Sequence, residues 1–236
     1  MTIVINNKYK DLKDFIHTIP DSFEKSGDLI YDERNKLKVY SIAGKEIVVK
    51  SFKVPILLNR FTYTFFRASK AKRSYEYAFR LLDKNISTPE PIAYIENREQ
   101  GLLCKSYYIS VYEKNTSHIR QFMSGETYDE NLIKAVARFI AEMHSRGVFH
   151  LDISPGNILF STKENQYKFF VIDINRMNFR EYISAEDRYD NFKRLTRNPK
   201  VINCLGREYA CYVGLDPDKT VREIKKVCGK FFGKDI

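Results

Sequence analysis

Three polar side chains in the second half of the chain have the types and the spacing of a phosphoryl-transfer site. Asp152 and Asn157 lie five positions apart in the stretch HLDISPGNILF, and Asp173 follows the apolar run FFVI sixteen positions after Asn157. Phosphoryl transfer needs carboxylate and amide oxygens that hold metal ions, and a base near the accepting hydroxyl. Turn formation alone would also explain Asp152 and Asn157, because SPGN is a typical turn sequence.

Such a site also needs a cation on the phosphates, and the first half of the chain offers one. Lys50 ends the strand-like run EIVVK, and Glu76 lies on the next predicted helix, where it would hold the lysine. Two other readings stay open. Lys50 could be a solvated strand end, and Glu76 could pair with Arg73 or Arg80 at helical spacing.

The pattern of apolar residues predicts a sheet followed by a helix in the first half of the chain. Residues 29–52 alternate β-prone runs with the turns DERNK and GK, which indicates an antiparallel meander. Apolar positions recur at helical spacing over 69–82, and the stretch GLLCKSYYISVYEK predicts a further strand.

Helices and one hairpin are predicted in the second half. Thr127 and Glu130 form a capping-box pattern before a helix that Gly147 ends, and NILF and KFFVID form a hairpin around the loop STKENQ. Helical patterns follow over 184–195 and 220–227. The fold class is therefore α+β.

The order of these residues resembles the protein-kinase-like fold. That resemblance implies two lobes, a β-rich N-lobe over 1–115 and a mainly helical, shortened C-lobe over 116–236. It also implies Asp152 as catalytic base, with Asn157 and Asp173 as ligands of Mg²⁺ or Mn²⁺. Lys50, positioned by Glu76, would contact the phosphates of ATP. The pattern departs from regulated protein kinases, since HLD replaces H-R-D, DIN replaces D-F-G and no A-P-E follows. Control by loop phosphorylation is thus not expected. Only 60 residues follow Arg176, too few for the helical platform that binds a peptide in protein kinases, so a typical peptide substrate is not expected either.

Over most of its length the chain resembles the bacterial lipopolysaccharide kinase family. The likeness is carried by SKAKRSYEYAFRLLDKNISTPEPIAY, MHSRGVFHLDISPGNILF and FVIDINRM. It implies ATP-dependent phosphorylation of a Kdo or heptose hydroxyl in the lipopolysaccharide inner core. We further expect the segment of Val111, Tyr112 and Glu113, next to Lys114, to face the adenine.

Two other functions compete with this interpretation. A small atypical serine/threonine protein kinase of the RIO kind would use the same catalytic set on protein. A pseudokinase binding module would keep the fold without activity. The turn YDERNKLKV stands where kinases have G-x-G-x-x-G, so cradling of phosphates by glycine backbone is not evident.

Composition favours anionic partners and a cytoplasmic location. The formal charge of the 236 residues is +10, and no apolar run or leader pattern predicts a membrane span or secretion. The four cysteines lack CxxC spacing and are expected to be reduced. No nucleic-acid-binding motif is evident, so no specific nucleic acid is expected.

One basic and aromatic stretch suggests peripheral contact with the inner face of the cytoplasmic membrane. Between Ile47 and Tyr75 lie seven Lys or Arg and no Asp or Glu. The hypothesis is that this surface engages anionic lipid or glycolipid. The alternative is ordinary packing with solvated charges. The residues concerned are Phe61, Tyr63, Phe65, Phe66, Arg60, Arg67, Lys70, Lys72 and Arg73.

Overall fold

The chain divides into two compact units. The computed structural model describes residues 1–33, 35–54, 67–164 and 166–233. The first unit consists of Met1–Arg80 and Pro89–Lys114, and the second of Leu81–Thr88 and Asn115–Ile236. Helices and strands are mixed along the chain, which confirms the predicted α+β class.

A six-stranded antiparallel sheet forms the centre of the first unit. Its elements are β1 (Thr2–Ile5), a 3-10 helix (Asn7–Leu12), α1 (Lys13–Ser22), β2 (Asp28–Asp32), β3 (Asn35–Ile42), β4 (Lys45–Phe52), α2 (Lys70–Asp83), β5 (Pro91–Glu99) and β6 (Leu102–Val111). The strand order is β1-β5-β6-β4-β3-β2. The predicted meander, helix and following strand are confirmed as β2 to β4, α2 and β6.

Helices cover both faces of this sheet. Ile47 and Val49 of β4 share a buried core with α1, whereas Phe52 packs with Tyr75 of α2. Side chains alternate between the two faces of a strand. Lys50 therefore lies on the α2 face, and its Nζ is 5.3 Å from the centre of the Phe52 ring.

The second unit is built from helices, one three-stranded sheet and one strand pair. Its elements are β7 (Ser117–His118), α3 (Arg120–Ser124), α4 (Glu130–Ser145), β8 (Val148–His150), β9 (Ile158–Lys163), β10 (Gln166–Val171), β11 (Met177–Phe179), α5 (Ala185–Asp190), α6 (Pro199–Val213) and α7 (Pro217–Phe232). The sheet order is β10-β9-β7, and β8 pairs with β11.

Several boundaries differ from those predicted. Asp129, not Thr127, caps α4, because its carboxylate accepts the Leu132 amide at 3.0 Å. The predicted hairpin is present as β9 and β10, but STK belongs to β9 because it pairs with residues 166–168. The helix predicted over 184–195 ends at Asp190 and is followed by single turns, and α6 was not predicted.

A buried chain of hydrogen bonds links the helices of the second unit to β8. Arg188 donates to the Tyr209 hydroxyl at 3.3 Å, and that hydroxyl donates to Nδ1 of His144 at 2.8 Å. Nε2 of His144 donates to Oδ1 of Asn191 at 3.0 Å, and Nδ2 of Asn191 donates to the carbonyl of His150 at 2.9 Å. Each group in this hydrogen-bond chain donates to the next.

The direction of the hydrogen-bond chain follows from the amide of Asn191. Its Nδ2 is used on a carbonyl, so its Oδ1 must accept, and the His144 ring must carry its hydrogen on Nε2. Burial lowers the pKa of His144 to about 4, so the ring is neutral near pH 7 and its Nδ1 accepts from Tyr209. Every buried side chain in this hydrogen-bond chain therefore has a partner.

The basic and aromatic stretch is only partly described. Residues 55–66, which include Arg60, Phe61, Tyr63, Phe65 and Phe66, lie outside the described residues. Arg67 and Lys70 are exposed, but Arg73 is 6% exposed, so it was wrongly placed among the phosphate contacts. In the described ranges, no helix combines the length and apolarity that crossing a bilayer requires.

Gly147 ends α4 at a position that has no room for a side chain. Its φ is +71°, and a Cβ there would lie 1.9 Å from the backbone oxygen of Arg180. We predict that Gly147→Ala lowers the free energy of unfolding by about 3 kcal/mol, since left-handed strain and a backbone clash add. Gly214→Ala is the matched control: its φ is +72° and no atom lies within 4 Å, so about 1 kcal/mol is expected. Equal urea midpoints for the two variants would contradict this account.

The neutral His144 makes stability depend on pH. The unfolded chain binds a proton on this ring near pH 6.5, whereas the folded chain does so only near pH 4. The free energy of unfolding should therefore fall by about 3 kcal/mol from this group as the pH falls from 6.5 to 4, and the fall is complete below that range. Urea titrations at several pH values should show a shallower decline for His144→Gln. An identical decline in both proteins would show that His144 does not titrate as described.

Candidate functional site

His150 fixes the loop that carries Asp152. The amide of Asp152 donates to Nδ1 of His150 at 3.0 Å, and Nε2 of the same ring donates to the carbonyl of Ile172 at 3.2 Å. Complete burial lowers the pKa of His150, so the ring is neutral, with Nδ1 as an acceptor and Nε2 as a donor. His150 therefore orients the loop and has no nitrogen left for proton transfer.

Asn157 closes the same loop. Its Nδ2 donates to the backbone carbonyl of Asp152 at 2.9 Å, and its amide donates to the carbonyl of Ser154. The amide of Ile172 donates to the carbonyl of Asn157 at 3.0 Å, which ties the loop to the segment that contains Asp173. The structure thus brings Asp152, Asn157 and Asp173 together within one unit.

Asp173 sits at a backbone turn just after β10. Its φ is +55°, a left-handed conformation that Asp tolerates better than most residues. Nδ2 of Asn175 donates to its Oδ1 at 2.7 Å. Backbone strain of this kind is often found at functional sites, where it aims a side chain.

The donors of Asn157 and Asp173 fit a hard divalent cation. Nδ2 of Asn157 donates to the carbonyl of Asp152, which leaves its Oδ1 as the atom suited to a metal. Mg²⁺ and Mn²⁺ prefer such oxygens and keep several waters. Among the residues described, no group of three or more His, Cys, Asp or Glu is placed to hold a metal ion. The two oxygen donors therefore suit a cation that is also held by phosphate.

Two arginines that the sequence interpretation missed hold the carboxylate of Asp152. Nη1 of Arg176 donates to Oδ2 at 2.7 Å, and Nη1 of Arg194 donates to Oδ1 at 2.8 Å. Arg176 follows the DIN segment closely, so its proximity to the motif was a usable signal. Arg194 lies 42 positions from Asp152, and no pattern in the sequence pointed to it.

Gly156 lets a third guanidinium approach the same loop. A Cβ at Gly156 would lie 2.5 Å from Nη2 of Arg120, so the arginine packs directly over the glycine. Burial lowers the pKa of His118, and the charge of Arg120 lowers it further. The loop between Asp152 and Asn157 thus lies in a basic environment.

Lys50 and Glu76 belong to the first unit. Lys50 lies on β4 and Glu76 on α2, the helix that packs on the same face of the sheet. The carboxylate of Glu76 is 3.7 Å from Nζ of Lys72, a neighbour one turn away that was not among the expected partners. The pairing of Glu76 with Lys50 stays a prediction.

The segment expected to face adenine ends β6. The amides of Val111 and Tyr112 donate to the carbonyls of Glu90 and Glu46, both at 2.9 Å. These bonds fix the backbone of the segment, and Glu113 follows it directly. Contact of Val111, Tyr112 and Glu113 with a nucleotide stays a prediction.

Known proteins share both the sequence pattern and the fold. The chain is 21% identical over 145 residues to a 3-deoxy-D-manno-octulosonic acid kinase of Vibrio parahaemolyticus serotype O3:K6 (strain RIMD 2210633), covering 61% of this chain and 58% of that protein. It is 19% identical over 119 residues to the enzyme of the same description from Haemophilus influenzae (strain 86-028NP), covering 50% and 49%. The chain thus spans about half the length of these relatives.

A solved structure of WaaP in complex with acyl carrier protein has the same fold. It superposes with a TM-score of 0.67 at 16% identity and covers 99% of this chain and 97% of that chain. The predicted fold is thereby confirmed. Residues 32–212, more than half of the chain, match the family model described as "Lipopolysaccharide kinase (Kdo/WaaP) family". This chain therefore belongs to the Kdo/WaaP family of lipopolysaccharide kinases.

Proposed function

We propose that the chain transfers the γ-phosphoryl group of ATP to a sugar hydroxyl, on Kdo or heptose, in the inner core of lipopolysaccharide. The observation that carries the proposal is the way Asp152 is held. His150 and Asn157 of its own loop bond its amide and its carbonyl, and Arg176 and Arg194 each bond one of its carboxylate oxygens. The family match and the two relatives described as 3-deoxy-D-manno-octulosonic acid kinases support a saccharide acceptor.

Asp152 would receive the accepting hydroxyl. A carboxylate has about four lone-pair sites, and the two arginines use one on each oxygen, so acceptor sites remain for the hydrogen of a sugar hydroxyl. Orientation of the hydroxyl is the main contribution expected, because catalysis of phosphoryl transfer is mostly positioning and electrostatic stabilisation.

The other residues would act on the nucleotide. Asn157 and Asp173 would hold Mg²⁺ or Mn²⁺, which when bound neutralises charge on the phosphate oxygens. Lys50 would add a further positive charge to the phosphates, and Glu76 would position it, as the family likeness implies. Val111, Tyr112 and Glu113 would contact adenine.

A peripheral position at the cytoplasmic face of the membrane fits this function. The acceptor is a lipid-linked saccharide, and the net charge of +10 favours anionic surfaces. Lys53, Arg67 and Lys70 are the exposed basic residues of the stretch between Ile47 and Tyr75 in the described part of the chain.

Transfer of labelled γ-phosphate to purified Kdo₂–lipid A and to a heptose-containing core tests the proposal. Wild-type protein should label at least one acceptor, and Asp152→Asn should lower the rate by about 10²-fold or more, since the positioned base is lost. Asp218→Asn is the matched control, because it removes an exposed carboxylate that pairs with Arg207.

Three results would contradict the proposal. Equal loss of transfer in the Asp218→Asn control would remove the evidence for a specific role of Asp152. Labelling of protein in place of glycolipid would favour an atypical protein kinase. Absence of ATP binding in a thermal-shift assay, where a ligand at a hundred times its Kd stabilises by about 2.7 kcal/mol, would favour a pseudokinase.

A further inference from the structure

Guanidinium groups from two separate segments of the second unit contact the same carboxylate, that of Asp152. The backbone carbonyl of Arg176 accepts the Leu151 amide at 3.0 Å, so Arg176 is fixed beside the loop. Arg194 lies in the turns that follow α5, where the Leu195 amide donates to the carbonyl of Phe192. The guanidinium of Arg194 also lies 5.4 Å from the centre of the Phe231 ring. The backbone of Arg176 and the guanidinium of Arg194 thus each have a contact that does not involve the Asp152 carboxylate.

The arginine pair retains capacity for a second anion. Each contact to Asp152 uses only Nη1, and a guanidinium carries five N–H donors. The side chains of Arg176 and Arg194 are 53% and 41% exposed, whereas that of Asp152 is 21% exposed. The two guanidinium groups are therefore accessible to a ligand from solvent next to the less exposed carboxylate of Asp152.

The charge of this cluster favours an acidic acceptor. Two guanidinium groups and one carboxylate leave one net positive charge beside the atom that receives the hydroxyl. Arginine binds carboxylates through two parallel hydrogen bonds, and such charge-assisted bonds are about twice as strong as neutral ones. A neutral sugar such as heptose offers no anion to the unused guanidinium donors, whereas 3-deoxy-D-manno-octulosonic acid offers a carboxylate.

We propose that Arg176 and Arg194 form a subsite for the carboxylate of an acidic sugar, and that they select Kdo over heptose as the acceptor. This inference rests on the proposed function and adds the acceptor class to it. In the acceptor-free protein both arginines hold Asp152. On binding, the sugar carboxylate shares their free donors and places a neighbouring hydroxyl at Asp152.

The test compares Kdo₂–lipid A with the same acceptor whose Kdo carboxyls are methyl esters. Wild-type protein should prefer the acid by about tenfold or more in kcat/KM, mainly through KM, because the ester cannot form charge-assisted bonds. In Arg176→Gln/Arg194→Gln the ratio should fall to about one, whatever happens to kcat. Lysine at both positions keeps the charge but not the planar fork, and should give an intermediate ratio.

Arg207→Gln is the matched control. Arg207 is an arginine of similar exposure, 51%, whose ion pair with Asp218 lies outside the site. It should keep the wild-type ratio of acid to ester. A purely structural role of Arg176 and Arg194 would lower kcat without changing this ratio, and that result would overturn the inference. Equal use of acid and ester by the wild type would also overturn it, as would an arginine-dependent preference for phosphorylated heptose.

Binding separates this inference from the proposed function. Calorimetric titration with the water-soluble Kdo disaccharide and its methyl ester needs no ATP. Binding of the acid that the double glutamine variant loses supports the subsite even if no phosphoryl transfer is found, in which case only the proposed function fails. No binding of the acid by the wild type would overturn the subsite.

Discussion

The buried carbonyl of His150 is the constraint on which the site depends. This carbonyl is inside the second unit, where an unsatisfied acceptor would cost about 1–3 kcal/mol. The Ile153 amide donates to it at 3.3 Å and Nδ2 of Asn191 donates at 2.9 Å. His144 orients the Asn191 amide by donating to its Oδ1. While His144 is neutral, its Nδ1 accepts from the Tyr209 hydroxyl, and protonation of the ring would remove that acceptor. The backbone before Asp152 therefore has one arrangement that satisfies every member of the hydrogen-bond chain.

That constraint extends outward to the groups proposed to do the chemistry. The His150 ring takes the Asp152 amide, and the Asn157 side chain takes the Asp152 carbonyl, so the peptide groups on both sides of the aspartate are fixed. Arg176 and Arg194 then fix the carboxylate itself. A site arranged before the substrate binds needs little reorganisation during the reaction, which is the main source of electrostatic catalysis.

The sequence was sufficient where the relevant interactions are local. The spacing of Asp152 and Asn157 reflects one loop, and the alternation over 29–52 reflects strands that pair with their neighbours in sequence. The boundaries of α4 and α5 were less predictable, because Asp129 competes with Thr127 for the cap and because tertiary contacts end α5 early. Prediction also missed α6, whose Gly206 disfavours helix but allows close packing, with a Cβ there only 3.0 Å from Val221.

The partners of Asp152 could not be predicted, because they depend on tertiary structure. Arg194 and Asn191 lie 42 and 41 positions from the residues they bind, in turns without periodicity. In the sequence, nothing distinguishes His144 from the other residues of an amphipathic helix. Only the fold shows that these separate residues contact one loop, and the proposed preference for an acidic sugar rests on that arrangement.

Hydrogen exchange of the Asp152 amide tests most directly whether the buried chain of hydrogen bonds holds the loop that carries Asp152. Asn191→Ala removes the shorter of two hydrogen bonds to the His150 carbonyl, at 2.9 Å, and leaves the one from the Ile153 amide at 3.3 Å. The Val49 amide on β4 of the first unit serves as an internal reference. The account predicts that the Asp152 amide exchanges about tenfold faster or more in the variant, while exchange at Val49 is unchanged. Identical exchange of the Asp152 amide in both proteins would show that the loop is held by other means and would contradict the account.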